Sequence, residues 1–145
     1  MRDFDVQTIE IAAPFDAAFE YIVDARKLPE WTHAFRLVSD GRAKLETPKG
    51  TVDVKLQVNA SAESGTVDWV MTFPDGSVGK AFSRLVDRGD RTLYSFVLLA
   101  PPVPLEQLEG ALAEQAKVLH EELATLQRKL EPRRPETREK TAAAS

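Results

Sequence analysis

The sequence predicts an α+β domain in which a curved, seven-stranded antiparallel sheet wraps around a long C-terminal helix, with two short helices after strand 1. Three observations predict this fold class. Seven strand-like segments occur along the chain, and turns rich in Gly, Pro and Asp separate most of them. After the last segment, apolar residues recur at spacings of three and four over about seven helical turns. Because the sheet and the helix each have one apolar side, the simplest fold packs one against the other.

The first strand is predicted at residues 4–12, which contain β-branched residues and neither Gly nor Pro. Pro14 ends this strand and suits the first turn of a helix, because the missing N–H has no partner there in any case. Apolar residues at helical spacing then predict a helix over residues 14–23. Pro29 is expected to interrupt a second helical turn, and Trp31 closes that region.

From residue 33 onward the apolar period changes from 3.6 to 2, which predicts an antiparallel meander of six strands. The predicted strands are residues 33–39, 42–47, 51–59, 66–73, 78–86 and 92–100. In the third and fourth of these, every second residue is apolar, so one face of each is expected to be buried. The last two carry apolar residues on both faces, and the pattern leaves their inward face open.

The long helix is predicted at residues 105–130, where one stripe of apolar residues runs along its length. The stripe consists of Leu105, Leu108, Leu112, Ala116, Leu119, Leu123, Leu126 and Leu130. We expect a single ligand-binding domain over residues 1–130. Residues 131–145 are charged and proline-containing, which favours a disordered tail.

Composition excludes several classes of function. The 145 residues suit one domain, and a hydrophobic content of 43% allows a normal core. The net charge of −4 provides no basic field for nucleic acid. The chain has no cysteine, which excludes disulfides and cysteine-ligated metals. No apolar run approaches the roughly 20 residues of a membrane-spanning helix, and no secretory signal is visible, so we expect no membrane insertion and a cytoplasmic location.

Five segments of the chain resemble those of a known superfamily. They are Ile9-Glu10-Ile11-Ala12-Ala13-Pro14, Phe19-Glu20-Tyr21-Ile22-Val23-Asp24, Leu28-Pro29-Glu30-Trp31, Phe73-Pro74-Asp75-Gly76 and Phe82-Ser83-Arg84-Leu85-Val86. In order and pattern, residues 4–130 are similar to the helix-grip superfamily, which includes START-like, Bet v 1-like and polyketide cyclase/dehydrase-like (SRPBCC-type) proteins. The resemblance implies a helix-grip fold. Its members include lipid and hormone binders, aromatase/cyclases and co-chaperone-like proteins, so it does not select one function.

A strongly curved sheet closed by one helix can leave an apolar interior, which is the usual character of a ligand site. The residues predicted to line it are Trp31, Phe35, Leu56, Trp69, Met71, Arg84, Tyr94, Phe96, Leu112, Ala116 and Leu119. Arg84 would meet an acidic ligand group if its face points inward, and would be a solvated sheet residue if it points outward. Tyr94 and Ser95 lie on opposite faces of one strand, so one of them offers the interior a hydroxyl.

The sequence contains little that indicates catalysis. Of the two histidines, His33 follows Trp31 at the expected mouth of the cavity and is the candidate general acid or base. His120 lies at the edge of the apolar stripe, where a local hydrogen bond explains it. The spacing of the histidines and carboxylates predicts no metal site, no serine lies in a nucleophile elbow, and we expect no cofactor.

These observations favour binding or carriage of a lipophilic small molecule in an internal apolar cavity. Two alternatives stay open, namely a cyclase or dehydratase acting on a polyketide-like or aromatic substrate, and a co-chaperone-like interaction module. The sequence specifies neither the ligand nor the oligomeric state.

Overall fold

The strands form one antiparallel sheet in the computed structural model, which describes residues 3–47, 50–99 and 105–131. The strands are β1 (Phe4–Ile11), β2 (Phe35–Ser39), β3 (Arg42–Thr47), β4 (Gly50–Ser61), β5 (Thr66–Thr72), β6 (Val78–Asp87) and β7 (Thr92–Leu99). Within the described residues, their spatial order is β1-β7-β6-β5-β4-β3-β2. The helices are α1 (Phe15–Val23), α2 (Leu28–Trp31) and α3 (Leu105–Leu130), and a 3₁₀ turn (Ala25–Lys27) precedes α2. The predicted fold class is confirmed.

The region between β1 and β2 differs from the prediction at its prolines. Pro14 is the N-cap of α1 and not its first residue, since its backbone is extended there (φ −68°, ψ 158°). Pro29 was expected to interrupt a helical turn, but it lies in the first turn of α2. A proline costs little in a first turn, because the N–H it lacks would have no intrahelical partner. Pro29 therefore belongs to the first turn of the second short helix and does not interrupt it.

The register of the sheet decides which face of β6 and β7 points inward. Ser83 and Leu85 are buried on β6, whereas Phe82, Arg84 and Val86 are exposed on its other face. Ser83 pairs with Phe96 and Leu85 pairs with Tyr94, so these β7 residues share the inner face. Tyr94, and not Ser95, is therefore the inward hydroxyl; Ser95 Oγ accepts a hydrogen bond from Thr8 Oγ1 at 3.1 Å.

Helix α3 packs along the inner side of β1 and against α1 and α2. Its buried Leu119, Leu123 and Leu126 belong to the same core cluster as Ile11 and Ile22. Two glutamine side chains, one from β1 and one from α3, form hydrogen bonds between these two elements. Gln7 Nε2 donates to the Ala116 carbonyl oxygen at 2.9 Å, and Gln127 Nε2 donates to the Glu10 carbonyl oxygen. None of the helices among the described residues is long and apolar enough to cross a membrane.

The turn between β4 and β5 is attached to β6 through Gly65. Its φ of +74° lies in the left-handed region, and the Leu85 N–H donates to the Gly65 carbonyl oxygen at 2.7 Å. A Cβ at this position would lie 2.2 Å from the Leu85 carbonyl oxygen. A residue with a side chain therefore meets both backbone strain and a main-chain clash here.

Candidate ligand-binding site

Three aromatic rings form a cluster on the inner face of the sheet, and they come from two strands that are not neighbours. Trp69 of β5 stacks on Phe96 of β7 with ring centroids 5.8 Å apart and planes inclined by 28°. Tyr94 meets Phe96 edge-on, with centroids 6.3 Å apart and planes inclined by 71°. Both geometries are favourable for aromatic pairs. We call Trp69, Tyr94 and Phe96 the aromatic cluster.

The aromatic cluster spans β6 because three successive inward residues of that strand are small. Register places Gly79 beside Met71 and Ala81 beside Trp69, and Ser83 lies beside Phe96. We call Gly79, Ala81 and Ser83 the β6 trough. Since these side chains rise little above the backbone, rings from β5 and β7 can meet above them.

Three polar atoms in this apolar interior have no hydrogen-bond partner within the protein: Trp31 Nε1, Trp69 Nε1 and the Tyr94 hydroxyl. Their residues are 3%, 4% and 0% exposed, so bulk solvent does not reach them. A buried polar group left unpaired costs about 1–3 kcal/mol. Such groups are uncommon in folded proteins, and each one calls for an explanation.

Other buried hydroxyls of the inner face do have partners. Ser83 Oγ donates to the Val67 carbonyl oxygen, and Thr92 Oγ1 donates to the Ala13 carbonyl oxygen at 2.9 Å. Burial raises the pKa of Tyr94, and the nearby Ser83 hydroxyl opposes this effect more weakly. Tyr94 is therefore a neutral phenol at physiological pH.

Ten of the eleven predicted lining residues are buried or half-buried. The buried ones are Trp31, Leu56, Trp69, Tyr94, Phe96, Leu112 and Leu119, and the half-buried ones are Phe35, Met71 and Ala116. Register places Met71 beside Leu56 on the inner face. Whether these residues line a cavity stays a prediction, because burial alone is equally compatible with ordinary packing.

Arg84 is the exception, and the expectation that it lines the interior is wrong. It lies on the exposed face of β6, between Phe82 and Val86. An outward position keeps its charge in water, where it needs no buried partner. There it borders an open surface cleft of about 280 Å³ next to Phe15 and Gly65. A second open cleft, of about 400 Å³, lies beside a different set of charged residues: Arg42, Asp53 and Lys55.

His33 lies at the surface between α2 and α3, with half of its side chain exposed. Its main-chain N–H donates to Glu122 Oε2 at 2.6 Å, and its Nδ1 is 4.0 Å from Glu121 Oε1. Burial raises the pKa of Glu122, and the hydrogen bond from His33 opposes this effect. The role of His33 as a general acid or base stays a prediction.

Residues 4–86 match the family model described as a domain of unknown function (DUF8713). The chain belongs to this family. No curated protein matches the chain.

Similar solved structures share the fold at low sequence identity. Protein CV1439 from Chromobacterium violaceum is 13% identical, with a TM-score of 0.68 over 91% of this chain and 100% of that one. A START superfamily protein from Mycobacterium smegmatis is 16% identical, with a TM-score of 0.61 over 89% and 97%. The Zhui aromatase/cyclase from Streptomyces sp. R1128 is 10% identical, with a TM-score of 0.58 over 88% and 92%. The predicted START/Bet v 1-like fold is confirmed, and identities this low show the fold alone.

Two features of this candidate site were not predicted from the sequence. Ser83 was not identified as an inward residue, because apolar residues on both faces of β6 hide its orientation. Glu122 was not identified as a partner of the main chain of His33, because 89 residues separate them. In the described part of the chain, no group of three His, Cys, Asp or Glu residues is arranged to hold a metal ion.

Proposed function

We propose that the protein binds a lipophilic small molecule between the inner face of its sheet and α3. The observation that carries the proposal is the aromatic cluster, where two unpartnered polar atoms lie within an otherwise apolar interior. Small-molecule sites are typically apolar with a few polar groups, which is the character of this face of the sheet.

Incomplete burial on the same face supports the proposal. Several inner-face residues are only partly buried, although they pack against the core. They are Val58, Met71, Phe73, Ala81 and Leu98. An apolar ligand covering them would gain about 25 cal/mol for each Å² removed from water.

The first experiment is native mass spectrometry of freshly purified protein, with organic extraction and small-molecule analysis. We expect a one-to-one lipophilic adduct. The Ala81→Phe variant is designed to abolish it, because Ala81 lies in the β6 trough beside Trp69, where a ring would occupy the proposed site. Ala113→Phe is the matched control, since Ala113 is exposed on α3.

Loss of the adduct in Ala81→Phe and retention in Ala113→Phe, with both variants folded by circular dichroism, is the expected result. If added lipophiles give no change in the fluorescence of the two buried tryptophans, Trp31 and Trp69, and no adduct is present, the proposal is wrong.

A cyclase-type enzyme acting on an aromatic substrate is the second candidate. It is suggested by the likeness to Zhui, which is described as an aromatase/cyclase. In that function the same interior would hold a reactive substrate in one conformation. Chemical conversion of the extracted compound by the purified protein distinguishes an enzyme from a carrier.

A further inference from the structure

The unpartnered polar atoms of the interior are mainly hydrogen-bond donors. An indole N–H donates and cannot accept, so Trp31 Nε1 and Trp69 Nε1 each require an acceptor. The Tyr94 hydroxyl can donate as well. All three atoms belong to residues that are more than nine-tenths buried. The interior therefore has two to three donors in excess.

Two neighbouring oxygen groups accept hydrogen bonds from Ser83 and not from the free donors. The Val67 carbonyl oxygen accepts from the Ser83 hydroxyl. An oxygen of Asp68 accepts from the Ser83 N–H at 3.2 Å. None of the three free donors is hydrogen-bonded to these oxygens or to any other group in the described part of the chain, so an acceptor supplied by a bound molecule would satisfy them.

The charge of the interior indicates that this acceptor is neutral. Among the described residues, the buried polar side chains are Ser83 and Thr92, and neither is a cation. Arg84, the cation predicted nearest to the site, lies on the outer face. A carboxylate would be buried without a counter-charge, which is costly. A carbonyl oxygen has no such cost.

The shape of the site favours a flat molecule. The Trp69 and Phe96 rings are inclined by only 28° and stack on each other across the β6 trough, so a flat molecule could extend this stack. Planar conjugated systems stack on such surfaces in the geometry that aromatic pairs prefer.

We propose that the ligand is a planar aromatic or conjugated carbonyl compound, whose neutral carbonyl oxygen accepts a hydrogen bond from Trp69 Nε1 or the Tyr94 hydroxyl. This inference rests on the proposed binding function, and it excludes hydrocarbons and saturated acyl chains as the preferred ligands.

The test compares 9-fluorenone with fluorene, which share a flat three-ring frame and differ by the carbonyl oxygen. Binding of each is measured by tryptophan fluorescence and by isothermal titration calorimetry. We expect fluorenone to bind about tenfold more tightly, since one additional hydrogen bond to a buried donor has about that effect. In at least one of the two variants, Tyr94→Phe or Trp69→Phe, the preference for fluorenone over fluorene should fall below about threefold. The affinity of that variant for fluorene should be retained.

Tyr21→Phe is the matched control, because the chain has two tyrosines and the Tyr21 hydroxyl is bonded to Glu30 Oε1 at 2.7 Å outside the aromatic cluster. This variant should keep the full preference for fluorenone. Equal affinities of the wild-type protein for both probes would overturn the carbonyl inference and leave the proposed binding function intact. A preference that persists in both site variants would overturn it too. Binding of neither probe would overturn this inference, and the adduct in native mass spectrometry then decides the binding function separately.

Discussion

The two tyrosine hydroxyls of this chain have opposite environments. The Tyr21 hydroxyl donates to Glu30 Oε1 at 2.7 Å. Partial burial, and then this hydrogen bond, raise the pKa of Tyr21. The Tyr94 hydroxyl is buried and has no partner in the protein. The Tyr21 hydroxyl therefore stabilises the folded protein, whereas the unpaired Tyr94 hydroxyl destabilises it.

We therefore expect opposite results when each hydroxyl is removed. Tyr21→Phe should lower the free energy of unfolding by about 0.5–1.5 kcal/mol, the usual net value of a hydrogen bond. Tyr94→Phe should leave the free energy of unfolding unchanged or raise it, because it removes an unpaired buried polar group without changing the ring. Urea denaturation of the ligand-free protein measures both. A loss of more than about 1 kcal/mol in Tyr94→Phe would mean that its hydroxyl is satisfied inside the protein.

Glu122 makes a pH-dependent contribution to the free energy of unfolding. Burial raises the pKa of its carboxyl group above the ordinary glutamate value. The folded state therefore holds the proton more tightly than the unfolded state, so the contribution of Glu122 to stability decreases as pH rises through its raised pKa. The contribution is fully present below the ordinary glutamate pKa.

Glu122→Gln should remove this pH dependence. The amide oxygen can still accept from the His33 N–H, so the contact between the loop after α2 and α3 is kept. We expect the variant to be more stable than the wild type near pH 7, and the difference to shrink toward pH 4. Denaturation curves over this range measure it, and Glu121→Gln serves as the control at the exposed neighbouring position. A variant less stable than the wild type at pH 7 contradicts the expectation.

At the scale of single residues, the sequence was informative where one face of a strand is clearly apolar. Trp69 and Met71 follow strict alternation with Val67, and the register places all three on the inner face. The inward or outward orientation of Arg84 could not be predicted, because β6 carries apolar residues on both of its faces. Orientation there depends on pairing with β5 and β7, which a local pattern does not contain.

At the scale of elements, the turn between β4 and β5 requires a glycine at position 65. Gly65→Ala should cost at least about 3 kcal/mol, because the left-handed backbone and displacement of the Leu85 carbonyl oxygen both oppose a Cβ. Gly76→Ala is the matched control: its φ is +88°, but nothing lies within 4 Å of an added Cβ. It should cost only about 1–2 kcal/mol. Chemical denaturation compares the two, and equal losses would show that the contact with Leu85 is unimportant.

Elements were predictable in type and order because their apolar periods are distinct. Helix α3 ends at Leu130, as the leucine stripe indicates. Helix α2 was harder, since a proline is compatible with both the start and the interruption of a helical turn. Asp24 helps to decide between them, because its side chain accepts from the Arg26 N–H and so begins the 3₁₀ turn ahead of α2.

For the molecule as a whole, the fold could be predicted from the sequence, but the hydrogen-bonding state of its buried polar groups could not. Alternation and turn residues specify a meander of β2 to β7, and β1 completes the sheet by pairing with β7 at the other end of the chain. The unpaired state of Trp31, Trp69 and Tyr94 depends on distances between elements far apart in sequence. The predicted tail at residues 131–145 lies, except for Glu131, outside the described residues.

The β6 trough has a consequence for how such proteins diverge. Main-chain hydrogen bonds hold β6 between its neighbours, and they do not depend on whether Gly79 or Ala81 gains atoms. A methyl group at Gly79 would make only ordinary contacts with Phe73 and Met71, at 3.4 and 3.5 Å. Larger side chains at these positions would therefore reshape the inner face by small steps while the strand order is kept. Related chains should therefore differ more at Gly79 and Ala81 than at Gly65, where the backbone leaves no room for a side chain.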